Sequence, residues 1–173
     1  CRVSQMKSLF LPIIGVAIFV AVVGYMFQNR SQNFSFGTTP ESTPAPATEL
    51  VEIGNIKISA EIADTEDKRK QGLSGRPSLS EDGGMLFVFP KKDVFPSFWM
   101  KDMKFSIDII WINDGKAAKI DKNVPAPSVG TPDRELPLYT PDKPVDYVLE
   151  VNAGFSDKNS IKIGDSVQIQ SYP

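Results

Sequence analysis

Glu150 stands inside an otherwise apolar run, Tyr147-Val148-Leu149-Glu150-Val151. Side chains alternate across an extended chain, so Glu150 shares a face with Val148 and opposes Leu149 and Val151. If both faces are covered, the carboxylate needs a partner, because an unpaired buried charge is costly. Arg69 is the obvious one, and two readings of it stand. Either a buried Arg–carboxylate pair fixes a helix onto a sheet, or both groups line a cleft that contacts an anion or a carbohydrate. Asp102, Asp108 and Arg76 complete the polar set. Two carboxylates suffice for glycoside hydrolysis, so Asp108 with Glu150 defines a hydrolase alternative, although nothing in their spacing selects it. Trp99, with Phe98 and Trp111, is either core or, if exposed beside acids, a sugar-stacking platform. Met85, Met100 and Met103 could offer thioethers to Cu(I), but methionine is also a common core filler.

Composition removes much of the remaining chemistry. The 173 residues include no histidine and a single cysteine, Cys1. There is therefore no Ser-His-Asp or Cys-His unit, no imidazole ligand, and no internal disulfide or cysteine-held cluster. Nineteen basic against 21 acidic residues give a net charge of −2, and no bulk positive field draws the chain to nucleic acid. Gly72-Leu73-Ser74-Gly75-Arg76 is not a phosphate-cradling loop, since no Lys-Ser/Thr pair follows it. No EF-hand spacing occurs. No cofactor is implied.

The elements that must position these residues fall in residues 50–173. Glu52–Ile53 and Ile56–Ile62 flank Gly54-Asn55, a hairpin signal, with Ile56, Ile58, Ala60 and Ile62 on one face. A short helix follows, capped by Asp64, acidic at its start and stopped near Gly72. Met85–Phe89 reads as a buried strand and Ser97–Met100 as another. Asp108–Asn113 and Lys116–Ile120 flank the two-residue turn Asp114-Gly115. Asn123–Pro144 carries six prolines and is longer than ordinary loops, a candidate lid or binding segment. Tyr147–Val151, a helical turn over Ala153–Asn159 and a closing strand Ser166–Ile169 complete the chain. The expected fold is mainly β (α+β): a compact barrel- or sandwich-like domain with one or two short helices.

Residues 1–30 and 31–49 are of a different character. Leu9–Phe27 is 19 uncharged, almost wholly apolar residues, long enough as a helix to span roughly 28 Å of bilayer. Arg2 and Lys7 before it favour a cytoplasmic N-terminus and place the rest outside. Val22-Val23-Gly24 matches a signal-peptidase site only weakly, so the expectation is an uncleaved signal-anchor. Cys1 precedes this segment and lies outside the folded domain. Residues 31–49, rich in Ser, Thr, Pro and Ala, cannot bury enough apolar surface to order, and read as a tether.

Four blocks occur in a diagnostic order. They are Ala63-Asp64-Thr65-Glu66-Asp67-Lys68-Arg69-Lys70-Gln71-Gly72-Leu73, then Gly84-Met85-Leu86-Phe87-Val88-Phe89, then Phe98-Trp99-Met100-Lys101, and last Tyr147-Val148-Leu149-Glu150-Val151-Asn152-Ala153-Gly154. Together, over residues 51–170, they resemble domain-of-unknown-function family 192, small prokaryotic proteins that are often exported or membrane-attached. The resemblance implies a compact, mainly β fold and no established reaction. Ser74, Met103 and Ser106-Ile107 depart from the family's usual residues, and they cluster in one region.

The expectation is therefore a single-pass membrane protein, held by its N-terminal helix, that displays a non-catalytic module outside the cytoplasm. Its partner is an unknown envelope ligand or protein, bound through Arg69, Trp99, Asp102, Asp108 and Glu150 in a cleft between the first helix, the Trp99 strand and the segment after Asn123. The alternatives are the two-carboxylate hydrolase and a purely structural scaffold.

Overall fold

A computed structural model describes residues 48–170. The expected membrane segment Leu9–Phe27, most of the tether and Cys1 lie outside the described residues. Among the described residues no helix is long and apolar enough to cross a membrane.

The hairpin signals form as expected. Strand β1 (Thr48–Ile53) and β2 (Ile56–Ala63) pair antiparallel, with Ile53 opposite Ile56, around Gly54 at φ 60°. Strands β4 (Ile107–Asn113) and β5 (Lys116–Val124) pair antiparallel around Asp114 and Gly115, at φ 48° and 64°. Left-handed φ at both central residues gives the turn whose twist suits a tight hairpin. Between the hairpins come helix α1 (Glu66–Gln71) and β3 (Gly83–Val88). After β5 follow a 3-10 turn at Asp133–Glu135, β6 (Tyr147–Asn152), the four-residue helix α2 (Phe155–Lys158) and β7 (Val167–Gln170).

All seven strands belong to one sheet, in the order β5-β4-β6-β3-β2-β1-β7. The β2–β3 pair is parallel, with α1 in its crossover, and every other pair is antiparallel. The two edge strands approach each other: Lys116 bridges Ser166, and the amide of Val167 donates to the carbonyl of Gly115 at 2.8 Å. The sheet is thus rolled into a partly closed barrel rather than stacked as a sandwich. Rolling covers the start of the β5 edge, while the rest of that edge stays unpaired with β7.

Strand alternation divides the apolar residues between two cores. The concave core takes Val51, Ile58, Leu86, Ile110, Leu149 and Val167, contributed by strands all around the sheet, and Phe155 of α2 plugs it. The convex face carries Met85, Phe87, Ile107, Ile109, Trp111 and Val148, and is covered by irregular chain bearing Leu73, Met100, Met103 and Val145. Each fully buried Leu, Ile or Phe contributes roughly 1.5–3 kcal/mol through removal from water. Ser97–Met100, expected as a strand, is not one. Pro96 precedes it, and only Phe98 pairs, exchanging backbone hydrogen bonds of 2.9 and 2.8 Å with Tyr139. This single bridge fixes the Trp99 segment over the convex face without adding an eighth strand.

Candidate functional site

The site lies where α1 and the Trp99 segment cross the convex face. Thr65, not Asp64, caps α1, its side-chain oxygen accepting from the Lys68 amide at 3.2 Å. The helix stops at Gly72, whose φ of 49° favours glycine; a β-carbon there would also lie 3.4 Å from the Phe87 ring. Arg69 then straps the helix to the sheet. Its Nη1 donates to the carbonyl of Asp64 at 2.7 Å and to that of Val88, at the end of β3, at 2.9 Å. The expected Arg69–Glu150 pair does not form, because backbone carbonyls at the strand end engage the guanidinium instead.

The opposite wall is tied to the same frame. Ser74 Oγ donates to the carbonyl of Lys101 at 2.8 Å, and the Gly75 amide to that of Asp102 at 2.9 Å. Phe98 packs edge-on against Phe87 and Trp111, with ring centroids 4.7 and 5.6 Å apart. Trp99 projects outward, 46% exposed, with Lys101 Nζ 5.4 Å from its ring. Lys101 is also ion-paired to Asp133 at 2.5 Å; through this pair and the Phe98–Tyr139 bridge the segment after Asn123 backs the Trp99 wall, but, against expectation, none of its residues lines the cavity. Asp102, expected as a ligand contact, is exposed, holds a left-handed turn at φ 57°, and lies outside the cavity lining.

Between these walls is a cavity of about 630 Å³, within the range of small-molecule sites. Phe87, Phe89, Phe98 and Trp99 line it with Arg69, Lys101 and Glu150. Glu150 sits on β6 opposite Met85 of β3 and Ile109 of β4, and is only 6% exposed. Its carboxyl has no hydrogen-bond or ion partner among the described residues. Burial alone pushes it up from an ordinary 4.5 to about 8. Glu150 is therefore a protonated acid at neutral pH, offering one O–H donor and one carbonyl acceptor to the cavity.

Asp108 takes no part in this site. On β4 it shares alternation with Ile110 and Ile112 of the concave core, whereas Glu150 shares the convex face with Val148. Its oxygens accept from the amides of Asn123 (2.8 Å), Gly154 (3.0 Å) and Ser156 (2.9 Å). A carboxylate so used pins α2 and the end of β5 and has no free oxygen aimed at a substrate. The two carboxylates do not face one cleft, and the hydrolase geometry fails. Arg76 does not line the cavity; it forms a two-pronged bridge to Glu61 at 2.5 and 2.8 Å, which holds Glu61 below the usual carboxylate value.

Met85, Met100 and Met103 are 5%, 2% and 8% exposed within the convex core. They fill apolar space there, and Met103 also lines the cavity. No group of three or more His, Cys, Asp or Glu able to hold a metal occurs among the described residues. Phe87 and Phe89 as cavity walls, and Ser74 as the tie to the Lys101 carbonyl, do not stand out as site residues from the sequence pattern. The signal is present in the Gly72-Leu73-Ser74 stop after α1, which turns the chain back over β3.

Residues 49–169 match domain-of-unknown-function family 192, described as "Uncharacterized ACR", and the chain belongs to this family. It is similar to two solved structures. One is a candidate transcription regulator from Sinorhizobium meliloti 1021, 29% identical, with a TM-score of 0.63 over 72% of this chain and 95% of that one. The other is a protein of unknown function from Novosphingobium aromaticivorans DSM 12444, 26% identical, with a TM-score of 0.59 over 70% of this chain and 83% of that one. No curated protein matches the chain.

Proposed function

We propose that the chain is a membrane-anchored, extracytoplasmic, non-catalytic module that binds a small ligand in the cavity over Glu150. The observation that carries this reading is Glu150 itself: a carboxyl on a residue only 6% exposed, without a hydrogen-bond partner among the described residues, opening onto a cavity walled by aromatic rings. A buried polar group without a partner costs stability. A purely structural scaffold would gain by replacing it with leucine. A ligand that hydrogen-bonds it removes that cost and gains aromatic contact at the same time. The anchor rests on Leu9–Phe27 and the charges before it. The description of the Sinorhizobium relative does not carry over readily, since residues 50–173 hold 16 basic against 19 acidic side chains and offer no net positive field.

The test is a thermal-shift panel on the full-length chain in mild detergent, with monosaccharides, short envelope glycans, amino acids and amides as probes. Binding should raise the melting temperature of the natural chain, while Trp99→Ala and Glu150→Leu should abolish the shift. A panel without any shift, or shifts that survive both substitutions, would remove the cavity from consideration.

A further inference from the structure

We infer that Glu150 recognises its ligand as a neutral carboxylic acid, and that the ligand presents to it an adjacent carbonyl and N–H, as in a primary amide or a lactam, on a flat apolar body. This rests on the cavity being a binding site, as proposed above.

From the sheet, the neighbours of Glu150 across β3 and β4 are Met85 and Ile109, neither of which bears a charge or a donor; one strand further out lie Glu61, bridged to Arg76, and Asp121, bridged to Lys119. From α1, the charged residues on the cavity wall are Glu66, Arg69 and Lys70, and from the Trp99 segment Lys101. Each of these cations is engaged elsewhere: Arg69 with two backbone carbonyls, Lys70 with Glu66 at 2.8 Å, Lys101 with Asp133 at 2.5 Å. None is a counter-ion to Glu150. With desolvation unopposed, the neutral acid is the stable form, and its ionisation is pushed up to about 8.

A neutral carboxyl carries one donor and one acceptor side by side. The group that satisfies both at once is an amide edge, C=O to the acid's O–H and N–H to its C=O. A hydroxyl satisfies one at a time. An ammonium ligand would first have to ionise Glu150 in a largely apolar site and would meet Arg69, whose partners are neutral carbonyls, while Glu66 is already paired with Lys70. A carboxylate ligand would gain from the wall cations at the mouth, yet at Glu150 could use only the O–H. The rings of Phe87, Phe98 and Trp99 suit a flat, unsaturated body.

Three probes of nearly equal shape separate these cases: benzamide (neutral), benzamidinium (cationic) and benzoate (anionic). They are titrated by ligand-observed NMR against the full-length chain in mild detergent at pH 6.5. The expected result is benzamide bound about tenfold tighter than either ion, the scale of one or two well-made hydrogen bonds. Glu150→Gln keeps a neutral donor and acceptor, so it should hold benzamide within about threefold, whereas Glu150→Leu should lose it. Benzamide binding to the natural chain should weaken as pH rises past about 8, while binding to Glu150→Gln should not. Preference for benzamidinium, with loss on Glu150→Gln, would overturn the neutral-acid inference and leave the binding site standing. Preference for benzoate, unaffected by Glu150→Leu, would overturn it likewise and move recognition to the cationic rim. Binding of none of the three overturns the amide chemistry, and the binding reading is then judged by its own ligand panel.

Discussion

Replacing Glu150 with glutamine should flatten the pH dependence of stability. In the folded chain Glu150 releases its proton near 8, against 4.5 for an ordinary carboxyl. Below 4.5 both states hold the proton and the residue costs nothing through ionisation. Between 4.5 and about 8 the unfolded chain ionises freely while the folded chain resists, so stability falls as pH rises. Above about 8 both are ionised and the loss is complete. At about 1.4 kcal/mol per unit, the full loss is on the order of 5 kcal/mol, a large part of a small domain's stability. Glutamine has the same shape and no charge to lose. Urea unfolding from pH 4 to pH 9 should give equal stabilities for the two chains at the acid end. At the alkaline end Glu150→Gln should be more stable by several kcal/mol, roughly 10–20 °C in melting temperature. Parallel curves across the range would refute the reasoning, since they would mean that Glu150 is solvated or paired.

Other expected outcomes follow from the same geometry. Asp108→Ala leaves three amides without their acceptor, that of Ser156 buried and those of Asn123 and Gly154 nearer the surface, and should cost roughly 2–4 kcal/mol in urea unfolding. Placed in both the natural and the Glu150→Gln backgrounds, it should leave their difference across pH unaltered. Arg69→Met loses the strap to the Val88 carbonyl and should cost about 1–2 kcal/mol; Glu150 should still titrate near 8, whereas a buried counter-ion's removal would raise it further. The full chain should sediment with membranes and resist carbonate extraction, and a chain lacking residues 1–47 should not; recovery of both in the soluble fraction would contradict the anchor.

What was legible in the residues was local. The alternation of Ile56, Ile58, Ala60 and Ile62 and the turns at Gly54-Asn55 and Asp114-Gly115 set two hairpins, because each signal depends on a few adjacent residues. Glu150 was conspicuous because a charge amid Val148, Leu149 and Val151 is conspicuous in any fold. Its partnering was not legible. Whether Arg69 reaches Glu150 or the Val88 carbonyl depends on where the end of β3 lies relative to α1, which no single segment encodes. Asp108 and Glu150 look like a pair until the β4–β6 register puts Ile109, rather than Asp108, opposite Glu150. The donors that occupy Asp108 come from Asn123, Gly154 and Ser156, distant in sequence and brought together only by the rolled sheet. The Ser97–Met100 segment has the composition of a strand, but its pairing with Tyr139 stops after one bridge.

The most direct measurement is the titration of the Glu150 side-chain carboxyl by carbon-13 NMR, in the full-length chain, free and saturated with benzamide. A midpoint near 8 in the free chain, moving higher when benzamide is bound, is the expected result. A midpoint between 4 and 5, the ordinary carboxyl range, unmoved by benzamide, would contradict the account.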